Sequence, residues 1–158
     1  LNEEIVLGVD LSNTETGYCL SKDGKISDYG TIKPSSTLSP IDKLVYVIEE
    51  IQKLIKKFNV DELVIEDIYC GYIQAFLILG RLQGAIILVW HKLKLRPPII
   101  YRTTTARCTI GIKGNAKKKD VMEAINKRLG LKITNDNISD AIVLILTYLK
   151  EKELGRTR

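Results

Sequence analysis

EIVLGVDLS, residues Glu4 to Ser12, decides the fold. Ile5, Val6, Leu7, Gly8 and Val9 show no polar alternation, the pattern of a strand buried on both faces, and the run ends in a carboxylate, Asp10. Such a strand belongs in the middle of a sheet with helices on either side. Next, TGYCLS (Thr16 to Ser21) reads as a second strand after a polar turn. Lys22, Asp23, Gly24 and Lys25 then turn the chain into a third, Ile26 to Ile32.

Beyond this meander the period changes. Pro40 starts a helical pattern in which Ile41, Leu44, Val45, Ile48, Ile51, Leu54, Ile55 and Phe58 recur at spacings of three and four. DELVIEDI (Asp61 to Ile68) is a fourth strand, Gln74 to Lys94 a long helix, and Ile99 to Thr104 a fifth strand. A Gly and Lys loop (Gly111 to Lys119) leads into helices over Lys118 to Leu129 and Ile138 to Lys152. The order βββαβαβαα predicts an α/β fold: a mixed five-stranded sheet flanked by helices on both faces. Neither a repeat nor a linker interrupts it, so residues 1–158 are expected to form a single domain.

Composition narrows the function. With 45% hydrophobic and 27% charged residues the chain reads as an ordinary folded protein, and a net charge of +5 favours a polyanionic partner. The opening Leu1, Asn2, Glu3 and Glu4 lack the layout of a signal peptide, and the apolar stretches are broken by Gly, Gln, Arg or Lys. A cytoplasmic protein with no membrane association is expected. Cys19, Cys70 and Cys108 are odd in number, unpatterned in spacing and set among apolar neighbours, which predicts buried reduced thiols. The lone His91 is expected to be structural or at the surface.

Three acids sit where helices and strands alone do not require them. Asp10 and Glu66 each follow an apolar strand core, in surroundings that disfavour an unpaired charge, while Asp67 points to the opposite face from Glu66. Asp140 falls near the start of the last helix. Each has an ordinary alternative: Asp10 could cap the turn of Ser12, Asn13 and Thr14, Glu66 could be solvated, and Asp140 could complement the helix dipole. Taken together, three carboxylates at one point repel one another unless a cation sits between them. Hard oxygen ligands without Cys or His select Mg²⁺ or Mn²⁺.

The motifs resemble a known family. GVDLSNTETGYCL (Gly8 to Leu20) is similar to the first strand and hairpin of the RuvC-type Holliday junction resolvases of bacteria and phages, members of the RNase H-like superfamily. VIEDIY (Val64 to Tyr69) resembles their second acidic strand, and LGRLQGAIILVWHKLKL (Leu79 to Leu95) their LGxxxG dimer helix. GIKGNAKKKDV (Gly111 to Val121) and SDAIVLI (Ser139 to Ile145) resemble their basic loop and terminal acidic helix. The matches keep their order from Ile5 to Leu149.

The resemblance implies an RNase H-like fold and a metal-dependent endodeoxyribonuclease that cuts four-way or branched DNA as a homodimer through helix 74–94. It would act in a bacterial cell or phage-infected host. Asp10, Glu66 and Asp140 would be catalytic and metal-binding, holding two ions about 4 Å apart. Asn137 stands where the family commonly has a further acid: it could ligate through its carbonyl, Asp136 could substitute, or an inactivating replacement could have occurred. Lys118, with Lys117 as the competing choice, takes the catalytic lysine role. Tyr69 would stack on an unpaired base, and Arg107, Lys113, Lys117, Lys118 and Lys119 would bind DNA. The alternatives are an RNase H-like nuclease acting on RNA or RNA:DNA hybrid, and a catalytically silenced junction-binding protein.

Overall fold

The computed structural model describes residues 3–69 and 71–157. Its five strands are β1 (Ile5–Asp10), β2 (Thr16–Lys22), β3 (Lys25–Ile32), β4 (Glu62–Glu66) and β5 (Ile99–Tyr101). Its helices are α1 (Pro40–Lys57), α2 (Ile73–Lys94), α3 (Thr103–Thr109), α4 (Lys118–Leu129) and α5 (Asp136–Glu153). The sheet order is β3-β2-β1-β4-β5. The first three strands are antiparallel, while β4 runs parallel to both β1 and β5, so the sheet is mixed as the sequence predicts.

The unalternating run in β1 is explained by two cores, one on each face. Leu7, Val9, Leu63 and Ile65 pack under α1 and α2 with Val47, Ile51, Leu82, Ile86 and Trp90. Val6 and Val64 pack on the other face under α5 and α4 with Ala141, Ile145, Val121 and Ile125. Burying each large side chain contributes about 1.5–3 kcal/mol. Local signals fix the ends of α1, where Ser39 Oγ accepts from Asp42 N at 3.1 Å and Pro40 occupies the first turn.

Several expectations need correction. The fifth strand stops at Tyr101 rather than Thr104, because Thr103, Thr104 and Thr105 open α3. Their β-branched side chains favour a strand in isolation, but Ala106 and Arg107 bury against the core and tertiary packing wins. The last helix starts at Asp136 instead of Ile138, so Asp136 lies in the first turn and Asp140 one turn further in. Cys19 is buried as expected, Cys108 is exposed, and Cys70 lies outside the described residues. His91 is at the surface. By length and composition alone α2 is long and apolar enough to cross a membrane, contrary to the expectation that every apolar stretch breaks short of that length. Leu82, Ile86 and Trp90 nevertheless seat one of its faces in the core.

Among the described glycines, the tightest approach lies between β2 and α5. A Cβ built on Gly17 would collide with the Asn137 carbonyl oxygen, and one on Gly8 would stand 2.8 Å from that of Ala141. Only glycine lets α5 lie this near the sheet. Gly17→Ala is therefore expected to destabilise the protein by about 1–3 kcal/mol, the range of an overpacked core. Denaturant unfolding checks it; an unchanged midpoint would mean that the helix shifts without cost.

Candidate active site

The site is assembled by strand register. Val9 pairs with Ile65 across the parallel β1 and β4, so Asp10 and Glu66, one residue further on, end adjacent strands. The missing Cβ of Gly8 faces Ala141, and by the two-residue period Asp10 faces α5 as well. Val64 lies in the core under α5, which puts Glu66 on that same face. Asp140 directly precedes Ala141 on the helix above. Acids far apart in the sequence thus end in one neighbourhood, where the three charges act on each other.

Several bonds hold these backbones in place. The turn after β1 is tied by Thr16, whose Oγ1 donates to Ser12 O at 2.6 Å and accepts from Ser12 N at 3.0 Å. Ser12 Oγ in turn accepts from Thr14 N at 3.2 Å, so the turn is capped by Ser12 and the Asp10 carboxylate is left for the site. Asn135 caps α5 by accepting from Asn137 N and Ile138 N, and its Nδ2 donates to Glu15 Oε1 at 3.0 Å, fastening the helix start to that turn. Gln83 of α2 donates to Glu66 O at 3.2 Å.

Electrostatics single out these acids. Burial pushes Asp10 well above the usual carboxylate range, and the charges of Glu66 and Asp140 push it further, with partial relief from Lys118. Burial also raises Glu66, opposed by a bond from the Thr103 hydroxyl, and raises Asp140, opposed by Lys118 and Arg107. Lys118 Nζ lies 2.9 Å from Asp136 Oδ2 and 3.5 Å from Asp140 Oδ2. That bond to Lys118 lowers Asp136 below the usual range. Although burial works against its charge, Lys118 is held above its ordinary value by Asp136, Asp140 and Asp10.

Among the described residues no three Asp, Glu, His or Cys side chains already enclose a point as metal ligands. The donor set nevertheless suits a hard divalent cation: Asp10, Glu66 and Asp140 are carboxylates in partly desolvated surroundings whose mutual repulsion a cation would relieve. Asn137 stands on the first turn of α5, partly buried above Gly17, and Asp136 is engaged by Lys118.

The expected DNA-binding residues divide into two groups. Lys113, Lys117 and Lys119 are exposed on the loop and first turn of α4, and Tyr69 is 95% exposed beside the carboxylates. Arg107 differs: it is 8% exposed, with Nη2 3.4 Å from Asp140 Oδ1 and Nη1 donating to Ala116 O at 2.9 Å. It therefore braces Asp140 and the basic loop from inside. The sequence reading missed Thr103, because a threonine in a β-favouring run gave no sign of facing Glu66.

Comparison with known proteins adds independent findings. The family described as Crossover junction endodeoxyribonuclease RuvC matches residues 6–148. The protein of that name from Dictyoglomus thermophilum is 28% identical over 156 residues, covering 94% of this chain and 98% of the relative. Its counterpart in a Sulfurovum species is 30% identical over 160 residues, covering 96% and 98%. Among solved structures, T. thermophilus RuvC in complex with Holliday junction substrate has a TM-score of 0.79 and 16% identity, over 97% of both chains, a likeness of fold.

The crowding of acids has a measurable cost. Asp10 is raised on folding, so it disfavours the folded state increasingly as pH climbs from the unfolded carboxylate value, about 3.9, through its higher folded value. In chelator, Asp10→Asn should therefore be more stable than wild type at neutral pH, by about 1–3 kcal/mol, and the gap should close on acidification. Thermal unfolding across pH checks this; a variant less stable than wild type at neutral pH contradicts it.

Proposed function

The chain belongs to the RuvC family of crossover junction endodeoxyribonucleases, and from that premise we propose that it is a Holliday junction resolvase, making paired nicks in four-way DNA. The observation that carries the reading is the delivery of Asp10, Glu66 and Asp140 by two parallel strands and a helix to one partly buried, mutually repelling group. Residues 1–158 act as one nuclease domain. The products are 5′-phosphate and 3′-hydroxyl ends, and the enzyme works on cytoplasmic DNA in a bacterial cell or phage-infected host.

Asp10, Glu66 and Asp140 would hold two Mg²⁺ or Mn²⁺ ions, with the Asn137 carbonyl or Asp136 completing the set. When bound, such ions activate water and stabilise the leaving oxygen of an in-line displacement. The protein's own residues do the rest. Arg107 fixes the Asp140 carboxylate from behind, and the Thr103 hydroxyl eases the charge on Glu66. Lys118 sits at the rim, its ammonium able to leave Asp136 for a phosphate oxygen, so that its positive charge meets charge developing on the backbone. Lys113, Lys117 and Lys119 line the approach as phosphate contacts. Tyr69 offers an exposed ring on which a base freed at the crossover stacks.

A second copy suits the exposed side of α2. Ile73, Phe76, Leu77 and Leu88 are exposed there, and Gly80 and Gly84 leave open space where a Cβ would stand. Covering this surface with its twofold equivalent would bury the excess apolar positions and give two active sites for opposed strands.

Two experiments test the reading. On a synthetic four-way junction in Mg²⁺, Asp10→Asn should cut at least about 1,000-fold more slowly while binding as tightly as wild type. Wild type should prefer the junction to an RNA:DNA hybrid; exclusive cleavage of the hybrid would remove the resolvase reading. Leu88→Glu should sediment as a monomer with unchanged helical content and convert paired nicks into single ones. A dimer that survives this change would move the interface elsewhere.

A further inference from the structure

A cavity of about 470 Å³ lies one residue from the catalytic Glu66, lined by Asp67, Ile68, Tyr69, Arg102, Thr103 and Thr104. Its volume falls within the range of about 300–1,000 Å³ typical of pockets that accept a small organic group. Leu11, Glu66 and Leu79 line a second, smaller cavity that shares the Asp67–Tyr69 segment. A strand whose phosphate lies at Glu66 therefore has this larger hollow within one nucleotide's reach, with Tyr69 at the rim.

The polar groups of the hollow are unusual for a surface that meets a polyanion. Asp67 and Arg102 face each other with Oδ2 4.0 Å from Nε, too long for a good hydrogen bond, and their side chains are 47% and 81% exposed. An ion pair this open contributes little to stability. Among the described residues Asp67 Oδ1 accepts from the next amide, Ile68 N, at 3.0 Å, and an oxygen with two lone pairs keeps capacity for a ligand. Phosphate binding explains Arg102 but not Asp67, because a carboxylate repels phosphate. A neutral ligand with adjacent donors and acceptors accounts for both.

Resting on the resolvase reading, we infer that this cavity receives an unpaired nucleobase next to the cut, and that Asp67 and Arg102 select guanine. Guanine alone presents two neighbouring N–H donors, N1–H and N2–H, which a carboxylate accepts together, with O6 alongside for an arginine. Cytosine and adenine offer one amino group to the carboxylate, and thymine one imide N–H. A site built to accept a given N–H strongly rejects the base that lacks it. Tyr69 supplies stacking to any base; Asp67 and Arg102 add discrimination between them.

The test uses four-way junctions carrying each base in turn at the positions flanking the crossover, with inosine as a fifth substitution because it lacks the guanine 2-amino group. Cleavage is followed in Mg²⁺, and binding is measured separately in Ca²⁺, so that base preference has a readout independent of turnover. Wild type should favour guanine at one position by about 10-fold or more, with inosine losing most of that advantage. Asp67→Asn should bring guanine down to the level of the other bases and make inosine equivalent to it; Arg102→Gln should narrow the spread in part. Equal handling of all bases by wild type, or an unchanged preference in Asp67→Asn, would overturn the inference while leaving junction cleavage intact. Absence of any junction binding or cleavage by wild type would instead sink the resolvase reading beneath it.

Discussion

Two adjacent parallel strands that end in acids, beneath a helix carrying a third, form a constraint that the rest of the molecule is built to satisfy. Asp10, Glu66 and Asp140 are raised chiefly by burial and, for Asp10 and Glu66, further by neighbouring acids. Protein cations answer only part of that charge: Arg107 meets Asp140 from the interior, and Lys118 reaches Asp140 and Asp136 from the rim. Holding acids together in this way is costly for folding and useful for gripping divalent ions, the usual exchange of stability for function at such sites.

The packing around the site serves its precision. Glycines at positions 8 and 17 bring α5 onto the sheet, the Ser12 and Thr16 network fixes the turn after Asp10, and Glu15 with Asn135 ties that turn to the helix. The glycine contacts and the Glu15–Asn135 bond join segments distant in the chain. The site is therefore a property of the assembled sheet, and its parts act through register: a shift of one residue between β1 and β4 would turn Glu66 away from Asp10.

Much of this was legible in the residues. The unbroken apolar run before Asp10 announced a central strand, and the repeat of that pattern before Glu66 announced a neighbour. Both faces of β1 are indeed covered, by different helices. What escaped the sequence was decided by tertiary contacts. Thr103 to Thr105 look like strand and fold as helix; Arg107 looks like a DNA contact and is buried against Asp140; Cys108 looks like a core thiol and lies at the surface. Local composition carries no record of which partner a side chain meets 30 residues away. The motif order carried more, since five weak likenesses in register identified the RuvC family and its RNase H-like fold.

The central claim is geometric: one divalent cation site is shared by three acids from three elements. Anomalous diffraction from crystals grown with Mn²⁺ tests it directly. The account predicts density for at least one ion at about 2.1 Å from oxygens of Asp10, Glu66 and Asp140. Ions bound only elsewhere on the molecule, with those three carboxylates paired solely to Lys118 and Arg107 at saturating Mn²⁺, would contradict it.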